Sequence, residues 1–269
     1  MPGRIDVRVD GPLCTITLVA PRRRNALTPE MLCGLADAFV AFADDPALRV
    51  AILTGAGEHA FCAGGDLDRT LPLLTGARAP EDAFDRRLLS DPQVLAASGL
   101  RDFALDKPVI AAVNGACLAA GFELLLGTDI RIAAEQAVFG LPEVQLGLLP
   151  FAGSMARLPR QVPHAAAMRL LLTGEPIDAH EARRIGLIDQ VLPVADVLPA
   201  ALRLAQRIAR NGPLAVRAVK RTVRGASGRP LAEAYAAEDE ARREVFASAD
   251  AREGPRSFLE KREPRFEER

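Results

Sequence analysis

Alternating apolar and polar positions near the start of the chain predict two β-strands. Residues 5–9 alternate in this way, and residues 14–18 do so again, which is the period of a half-buried strand. Thr28-Pro29-Glu30 follows and combines a helix N-cap residue with a proline at the first helical position. Apolar residues then recur every three to four positions, so we predict a helix that begins at Thr28.

The middle of the chain alternates short apolar runs with helical segments. Residues 50–54, 109–113 and 130–133 are largely apolar runs, as expected of buried parallel strands. A helix is predicted near residues 121–127, and the irregular stretch 68–100 predicts a mobile helical insertion. This alternation of strands and helices indicates an α/β core with parallel pairing.

The last part of the chain shows helical periodicity only. From about Asp196, apolar residues repeat at helical spacing, and three helices are predicted, which include residues 198–208, 216–223 and 231–246. We therefore place the core in residues 1–195 and a C-terminal helical domain in residues 196–269.

Charge and composition exclude several functional classes. Lys and Arg number 34 and Asp and Glu 35, so the net charge of −1 lacks the basic excess of a general nucleic-acid-binding protein. The same balance provides no attraction to an anionic membrane surface. The apolar stretch 109–128 is interrupted by Asn114 and Glu123, which favours a buried strand, turn and helix over a membrane span. We therefore expect neither a nucleic-acid nor a membrane partner.

The spacing of cysteine and histidine predicts no metal centre. The four cysteines form no CxxC pair, and the three histidines are scattered, so neither a zinc nor an iron–sulfur pattern is present. Free thiols suit a reducing cytosol, and the N-terminal residues lack the apolar stretch of a signal peptide. We therefore expect a cytoplasmic protein without a metal.

Two carboxylates have unusually apolar neighbours. The residues three and four positions from Glu123 are alanine, leucine or glycine, so poor solvation should raise its pKa. Glu143 follows Leu141 and Pro142 in a second apolar segment. Each has a structural alternative, because Glu123 can pair with a distant arginine and Glu143 can interact with a helix N-terminus. As a pair, acids with environment-tuned pKa values are suited to general acid–base catalysis.

Two glycine-rich turns complete the pattern. Residues 61–67 follow the predicted 50–54 strand, and residues 114–121 lead into the helix that carries Glu123. Small residues allow a ligand to approach the backbone, and a helix N-terminus offers free N–H groups. Two such turns facing each other can aim two N–H groups at one carbonyl oxygen, as in an oxyanion hole, although glycine-rich turns are often simple chain reversals.

Six short motifs occur in an order that resembles a known family. They are Arg24-Asn25-Ala26-Leu27, Ala63-Gly64-Gly65-Asp66-Leu67, KPVIAAVNG at 107–115, Gly121-Phe122-Glu123-Leu124, Thr128-Asp129-Ile130 and FGLPE at 139–143. Together they resemble the crotonase superfamily, specifically enoyl-CoA hydratase, over nearly the whole chain. The resemblance implies an α/β fold, a spiral of repeated β-β-α units with a C-terminal helical oligomerisation domain. It also implies homotrimers, which commonly dimerise into hexamers.

The resemblance further implies roles for individual residues. The N–H groups of Gly65 and Ala120 would bind the thioester oxygen, and Glu123 and Glu143 would be the catalytic acids. The implied substrate-binding residues are Arg22, Arg24, Ala63, Asp66, Leu67, Asp68, Gly121 and Phe151, together with Phe258 and Lys261, which would meet the nucleotide end of coenzyme A from a neighbouring subunit. Two positions depart from the family pattern: Ala120 stands where glycine is usual, and Phe151 stands where small residues are common.

These implications predict an enoyl-CoA hydratase that adds water to a 2-enoyl-CoA thioester. Coenzyme A is part of the substrate, and the predicted chemistry needs no further cofactor. A double-bond isomerase of the same fold can work with one acid, so retention of both acids favours hydration. A non-catalytic acyl-CoA-binding relative is the remaining alternative, and the presence of both acids and both turns counts against it.

Overall fold

Ten strands form two sheets in residues 3–267, the part of the chain that the computed structural model describes. In chain order the strands are β1 (Arg4–Asp10), β2 (Leu13–Val19), β3 (Val50–Gly55), β4 (Ala60–Cys62), β5 (Val109–Val113), β6 (Ala116–Leu118), β7 (Ile130–Ala134), β8 (Val138–Gly140), β9 (Ile177–Asp178) and β10 (Gln190–Leu192). The larger sheet has the order β1-β2-β3-β5-β7-β10, and the smaller has the order β4-β6-β8-β9. All five strands predicted from the sequence are confirmed, and all lie in the larger sheet.

From β3 to β8, consecutive strands alternate between the two sheets. β3, β5 and β7 belong to the larger sheet, and the strands that follow them, β4, β6 and β8, belong to the smaller one. Apart from the β1–β2 and β8–β9 pairs, which are antiparallel, neighbouring strands pair in parallel. Parallel neighbours need crossover connections, so the chain advances as a spiral of strand pairs and helices, as the family resemblance implies.

Helices connect the strand pairs and form the C-terminal part of the described chain. They are α1 (Pro29–Asp44), α2 (Thr70–Leu74), α3 (Ala83–Ser90), α4 (Pro92–Ser98), α5 (Ala120–Leu125), α6 (Ser154–Gln161), α7 (His164–Thr173), α8 (Ala179–Arg184), α9 (Val194–Ala209), α10 (Pro213–Ala226), α11 (Leu231–Ala247) and α12 (Asp250–Leu259). Short 3₁₀ helices occupy Pro21–Arg23 and Pro142–Leu146. The stretch 68–100 is helical as predicted, with α2 to α4, and its mobility stays a prediction.

The first helix forms where its capping residues indicate. The Thr28 side chain accepts a hydrogen bond from the Met31 N–H at 3.3 Å, and Pro29 supplies the first helical position. Leu35 and Phe39 lie on the buried face of α1, in the main hydrophobic core. α1 therefore packs on β1 and β2 of the larger sheet.

The first C-terminal helix belongs to the core. Alanines of α9 at spacings of four, Ala201, Ala205 and Ala209, pack with β3 and β5 side chains on the other face of the larger sheet. Small side chains allow this helix to lie close to the strands. The division into domains 1–195 and 196–269 stays a prediction, and its ends at residues 1–2 and 268–269 lie outside the described residues.

Helices α6, α7, α8 and α12 were not predicted from the sequence. Two of them, α6 and α12, contain an internal proline, Pro159 and Pro255 respectively, and proline normally ends a helix because it lacks an N–H and clashes with the preceding turn. Tertiary packing therefore maintains helical backbone at two positions where local propensity opposes it.

Candidate active site

The two glycine-rich turns lie side by side at one edge of the smaller sheet. β4 and β6 are parallel neighbours, with Cys62 opposite Cys117, so the turns that follow them leave the sheet at the same edge. A Cβ atom added to Gly64 would lie 2.7 Å from the Ala119 Cβ and 3.5 Å from the Ala120 nitrogen. Glycine at position 64 therefore allows the first turn to touch the second.

Gly121 makes a similar close approach from the other side. A Cβ atom there would lie 2.5 Å from the Cys62 carbonyl oxygen and 2.6 Å from the Cys62 Cβ. The absence of a side chain lets the first turn of α5 pack directly on the end of β4. The structure thus gives Gly121, a predicted substrate-binding residue, a packing role that holds the two turns together.

The N–H groups of Gly65 and Ala120 are both available to a ligand. The Leu27 N–H donates to the Gly64 carbonyl at 2.8 Å, and the Asp66 N–H donates to the Leu27 carbonyl at 2.9 Å. This bridge turns the N–H of Gly65 itself away from Leu27. Ala120 is the first residue of α5, so its N–H has no acceptor within the helix. Neither group donates to a loop or turn carbonyl among residues 3–267.

Backbone strain is located at Ala119 rather than at Ala120. Ala119 has φ 49° and ψ −127°, a region that favours glycine. Ala120 is helical and is absent from the positive-φ residues of the described chain. Its methyl group therefore does not prevent its N–H from serving as a donor, although the family position is usually glycine.

Glu123 lies on α5 and is only 2% exposed. One carboxylate oxygen, Oε1, accepts from the Ser154 N–H at 3.2 Å and from the Ser154 hydroxyl at 2.9 Å. Burial raises the pKa of Glu123, while the donors from Ser154 and Ala152 and the charge of Arg101 oppose that shift. The carboxyl is therefore desolvated but well supplied with donors that favour its ionised form.

Glu143 has a different environment in the 3₁₀ helix after β8. Its Oε2 atom is buried and has no hydrogen-bond partner among the described residues. Burial, with a smaller contribution from the nearby negative charge of Glu123, raises the pKa of Glu143 to about 7, although its own backbone N–H opposes the shift. The two carboxyls are thus close enough to interact, because β6 and β8 are parallel neighbours with Leu118 opposite Gly140.

The predicted substrate-binding residues near the first turn differ in whether their side chains are buried or exposed to solvent. Asp66 is 2% exposed, and it accepts from the N–H groups of Asp68 and Arg69 and from the guanidinium of Arg23. Its carboxylate therefore stabilises the turn after Gly65. Arg22, Arg24, Leu67 and Asp68 are exposed, and the Ala63 N–H donates to the Arg24 carbonyl at 3.0 Å.

Three other predicted residues lie at exposed positions further along the chain. The Phe151 side chain is 48% exposed, and its carbonyl accepts from the Arg101 guanidinium at 2.9 Å. Phe258 is 83% exposed at the end of α12, and Lys261 follows it with φ 54°. No hydrogen bond or ion pair in residues 3–267 joins Phe258 or Lys261 to the two turns.

Two buried asparagines support the site, and the sequence analysis assigned them no role. Asn25 donates to the carbonyls of Ala56 and Ala60 at 3.0 and 2.8 Å. Asn114 donates to the carbonyls of Gly55 and Ala60 at 2.9 and 3.1 Å. The segment that leads into β4 and the first turn is therefore fixed from both sides. Ser154 was also missed, because residues 152–156, AGSMA, do not match the G-x-S-x-G pattern of a catalytic serine.

The described chain lacks the features of a metal centre and of a membrane span. Residues 3–267 contain no group of three His, Cys, Asp or Glu side chains arranged to hold a metal ion. In the same residues, no helix combines the length and apolarity required to cross a membrane. Within the described residues, the two free amides and the carboxyl pair are therefore the groups that lie together and are suited to chemistry.

The chain is similar to a known protein family, to several characterised sequences and to solved structures. The family described as enoyl-CoA hydratase/isomerase matches residues 8–269. The enoyl-CoA hydratase EchA19 of Mycobacterium tuberculosis is 43% identical over 254 residues, which cover 94% of this chain and 92% of that protein. A carnitinyl-CoA dehydratase of Salmonella paratyphi A is 40% identical over 260 residues, which cover 95% of each chain. The crystal structure of an enoyl-CoA hydratase from Bacillus anthracis superposes with a TM-score of 0.88 at 35% identity, over 99% of this chain and 100% of that one.

We expect Ala119→Gly to stabilise the protein by about 1 kcal/mol, because it relieves strain that exceeds the entropic cost of a glycine. The midpoint of urea unfolding measures the change. Ala236→Gly, at an exposed position within α11, is the matched control and should destabilise by about 1 kcal/mol. Equal destabilisation by both variants would contradict the assignment of strain to Ala119.

Proposed function

The chain belongs to the enoyl-CoA hydratase/isomerase family, and from that premise we propose that it adds water across the α,β-double bond of a 2-enoyl-CoA thioester. The product is a 3-hydroxyacyl-CoA. The observation that carries the proposal is a pair of interacting carboxyls, one buried and one half-buried, with unequal hydrogen bonding. Glu123 is supplied with donors that favour a base, whereas Glu143 receives only its own backbone N–H and keeps one buried oxygen without a partner among the described residues, as suits an acid.

The amides of Gly65 and Ala120 bind the thioester oxygen in this proposal. When water attacks the β-carbon, the electrons of the double bond move toward that oxygen and form an enolate. Two backbone donors fixed before the reaction stabilise this charge, and removal of one such donor costs about 3–4 kcal/mol in comparable enzymes. The contact of Gly64 with Ala119 and Ala120 keeps the two turns together.

The two carboxyls divide the proton transfers between them. Glu123 accepts a proton from the attacking water, since the Ser154 donors favour its ionised form. Glu143 donates a proton to the α-carbon as the enolate collapses, since its neutral form is favoured up to about pH 7. Return of one proton from Glu123 to Glu143, directly or through solvent, resets the pair, and the same groups in reverse order perform dehydration.

The second acid distinguishes hydration from double-bond isomerisation. An isomerase moves one proton within its substrate and can use a single carboxyl, whereas hydration removes one proton from the attacking water and delivers another to the α-carbon. Glu143 is retained with a buried oxygen that no described residue satisfies. Such an atom is costly in a site that only binds its ligand, so the feature also disfavours a non-catalytic acyl-CoA-binding protein.

Exposed residues around the two turns are suited to bind the remainder of the substrate. Arg22 and Arg24 offer positive charge at the rim, which suits the phosphates of coenzyme A. Leu67 and Phe151 offer apolar surface for the acyl path. Phe258 and Lys261 would act from a neighbouring copy, and the proposed chemistry needs no metal or additional cofactor.

The helices after α9 support the proposal of a homotrimer or a dimer of trimers. Val219, Val223 and Phe246 expose apolar side chains along α10 and α11, and these surfaces can be covered by further copies. Light scattering after gel filtration should therefore give three or six times the chain mass of 28.7 kDa. A monomer at micromolar concentration would contradict this expectation.

The activity itself is tested with crotonyl-CoA and with a 3-enoyl-CoA. We expect the absorbance of the conjugated thioester to disappear when crotonyl-CoA is added, as water saturates the double bond. The 3-enoyl-CoA should react slowly or not at all. A faster appearance of conjugated thioester from the 3-enoyl-CoA would instead identify an isomerase, and binding without turnover of either would identify an acyl-CoA-binding protein.

Glu143→Gln should lower kcat by at least about 100-fold, because it removes the acid. The same variant should be more stable than the wild type above pH 7. The folded-state pKa of about 7 exceeds the ordinary value of 4.5, so ionisation across that interval destabilises the native protein, and glutamine cannot ionise. The stability difference should vanish below about pH 4.5, where both states are protonated.

Thermal unfolding at pH 5 and pH 8.5, together with steady-state kinetics, measures both effects. Glu175→Gln is the matched control at an exposed position and should change neither property. If Glu143→Gln lost folding in proportion to activity at every pH, Glu143 would have a structural role instead.

A further inference from the structure

A buried serine contacts the proposed base, and no step above requires its hydroxyl. Ser154 is the first residue of α6 and is 0% exposed. Its N–H and its hydroxyl both donate to the same oxygen of Glu123, Oε1, at 3.2 and 2.9 Å. The next acceptor for the hydroxyl, the Pro150 carbonyl, lies at 3.5 Å, so Glu123 is the preferred partner.

We propose that Ser154 is a positioning residue. Its hydroxyl fixes Oε1 of Glu123 and thereby presents Oε2 to the attacking water. The inference deepens the proposed hydration and rests on it. A carboxylate oxygen accepts about two hydrogen bonds in its plane, so the N–H and O–H of one residue saturate Oε1. Proton exchange with water is thereby directed to the second oxygen of the same carboxylate.

The hydroxyl also stabilises the ionised form of Glu123 relative to its protonated form. A serine O–H that donates to Oε1 stabilises the carboxylate, and a proton on Oε1 would compete with that bond. The backbone N–H makes a similar contribution, but any residue except proline at position 154 would supply it. The side chain therefore contributes a donor that depends on the identity of this residue.

Other charged groups around Glu123 are more distant or engaged elsewhere. Arg101 donates to the Phe151 carbonyl and exerts only a long-range electrostatic effect on Glu123. Arg157 on α6 donates to the carbonyls of Gly99 and Leu100. Glu143 faces Glu123 from the 3₁₀ helix after β8 and disfavours a second negative charge. Ser154 is the direct side-chain donor to Glu123 among residues 3–267.

The experiment compares Ser154→Ala and Ser154→Thr with the wild type. Alanine keeps the N–H and removes the hydroxyl, and threonine keeps both. We expect Ser154→Ala to lower kcat about 10-fold with little change in KM, because it disturbs a group that acts in the transition state. We also expect the acidic limb of its kcat/KM profile to move upward by about 0.5–1 pH unit, because the ionised base has lost a donor. Ser154→Thr should return the limb toward the wild-type position.

A matched control separates positioning from general stability. Ser248 is another buried serine, and its hydroxyl donates to the Val245 carbonyl at 2.7 Å. Ser248→Ala should lower stability about as much as Ser154→Ala without moving the pH profile. If the acidic limb of Ser154→Ala coincided with that of the wild type, or if both alanine variants changed kinetics alike, the positioning role would be wrong.

A readout independent of turnover distinguishes failure of this inference from failure of the proposed function. Titration of the Glu123 carboxyl by carbon NMR, in the Glu143→Gln background, reports the contact without substrate. Ser154→Ala should raise the Glu123 pKa in that background. A wild-type protein that hydrated no enoyl-CoA would overturn the proposed function, whereas an unchanged Glu123 titration would overturn the role of Ser154 alone.

Discussion

Parallel pairing of β4, β6 and β8 is the constraint on which the site depends. These strands end at one edge of the smaller sheet, and each continues directly into a functional segment. β4 leads to Gly65, β6 leads to Ala120 and Glu123, and β8 leads to Glu143. A register shift by one residue would turn every side chain of a strand to the opposite face, so the pairing sets the relative positions of the amides and the acids.

The site contains features that cost stability, and the surrounding structure compensates for them. Ala119 has a backbone conformation that favours glycine, and Glu143 has a buried oxygen without a partner among residues 3–267. Such features persist only where neighbouring structure fixes them. Here the asparagines at 25 and 114 fix the approach to β4, and two sheets with a shared hydrophobic core surround the turns. The features that lower the stability of the protein are therefore located at the candidate site.

The sequence predicted five of the six strands of the larger sheet and singled out the two acids that lie together, but it predicted neither β10 nor the smaller sheet. β1, β2, β3, β5 and β7 have five to seven residues and clear periodicity. β4, β6 and β8 have three residues each, too few for a period to be recognised. Ser154 was missed for a related reason, since a serine near a helix start has many ordinary roles. Its function depends on Glu123, which is 31 residues away in the chain.

Burial alone would treat the two glutamates alike, and their hydrogen bonds make them different. Desolvation is the largest influence on the pKa of each and raises both. Glu123 then receives donors from Ser154 and Ala152, whereas Glu143 receives mainly its own backbone N–H and the repulsion of Glu123. Because two nearby carboxylates resist simultaneous ionisation, the donors decide which one keeps the proton. The N-terminus of α6, which was not recognised in the sequence, therefore favours the ionised form of Glu123 over that of Glu143, which is the difference that the proposed base and acid require.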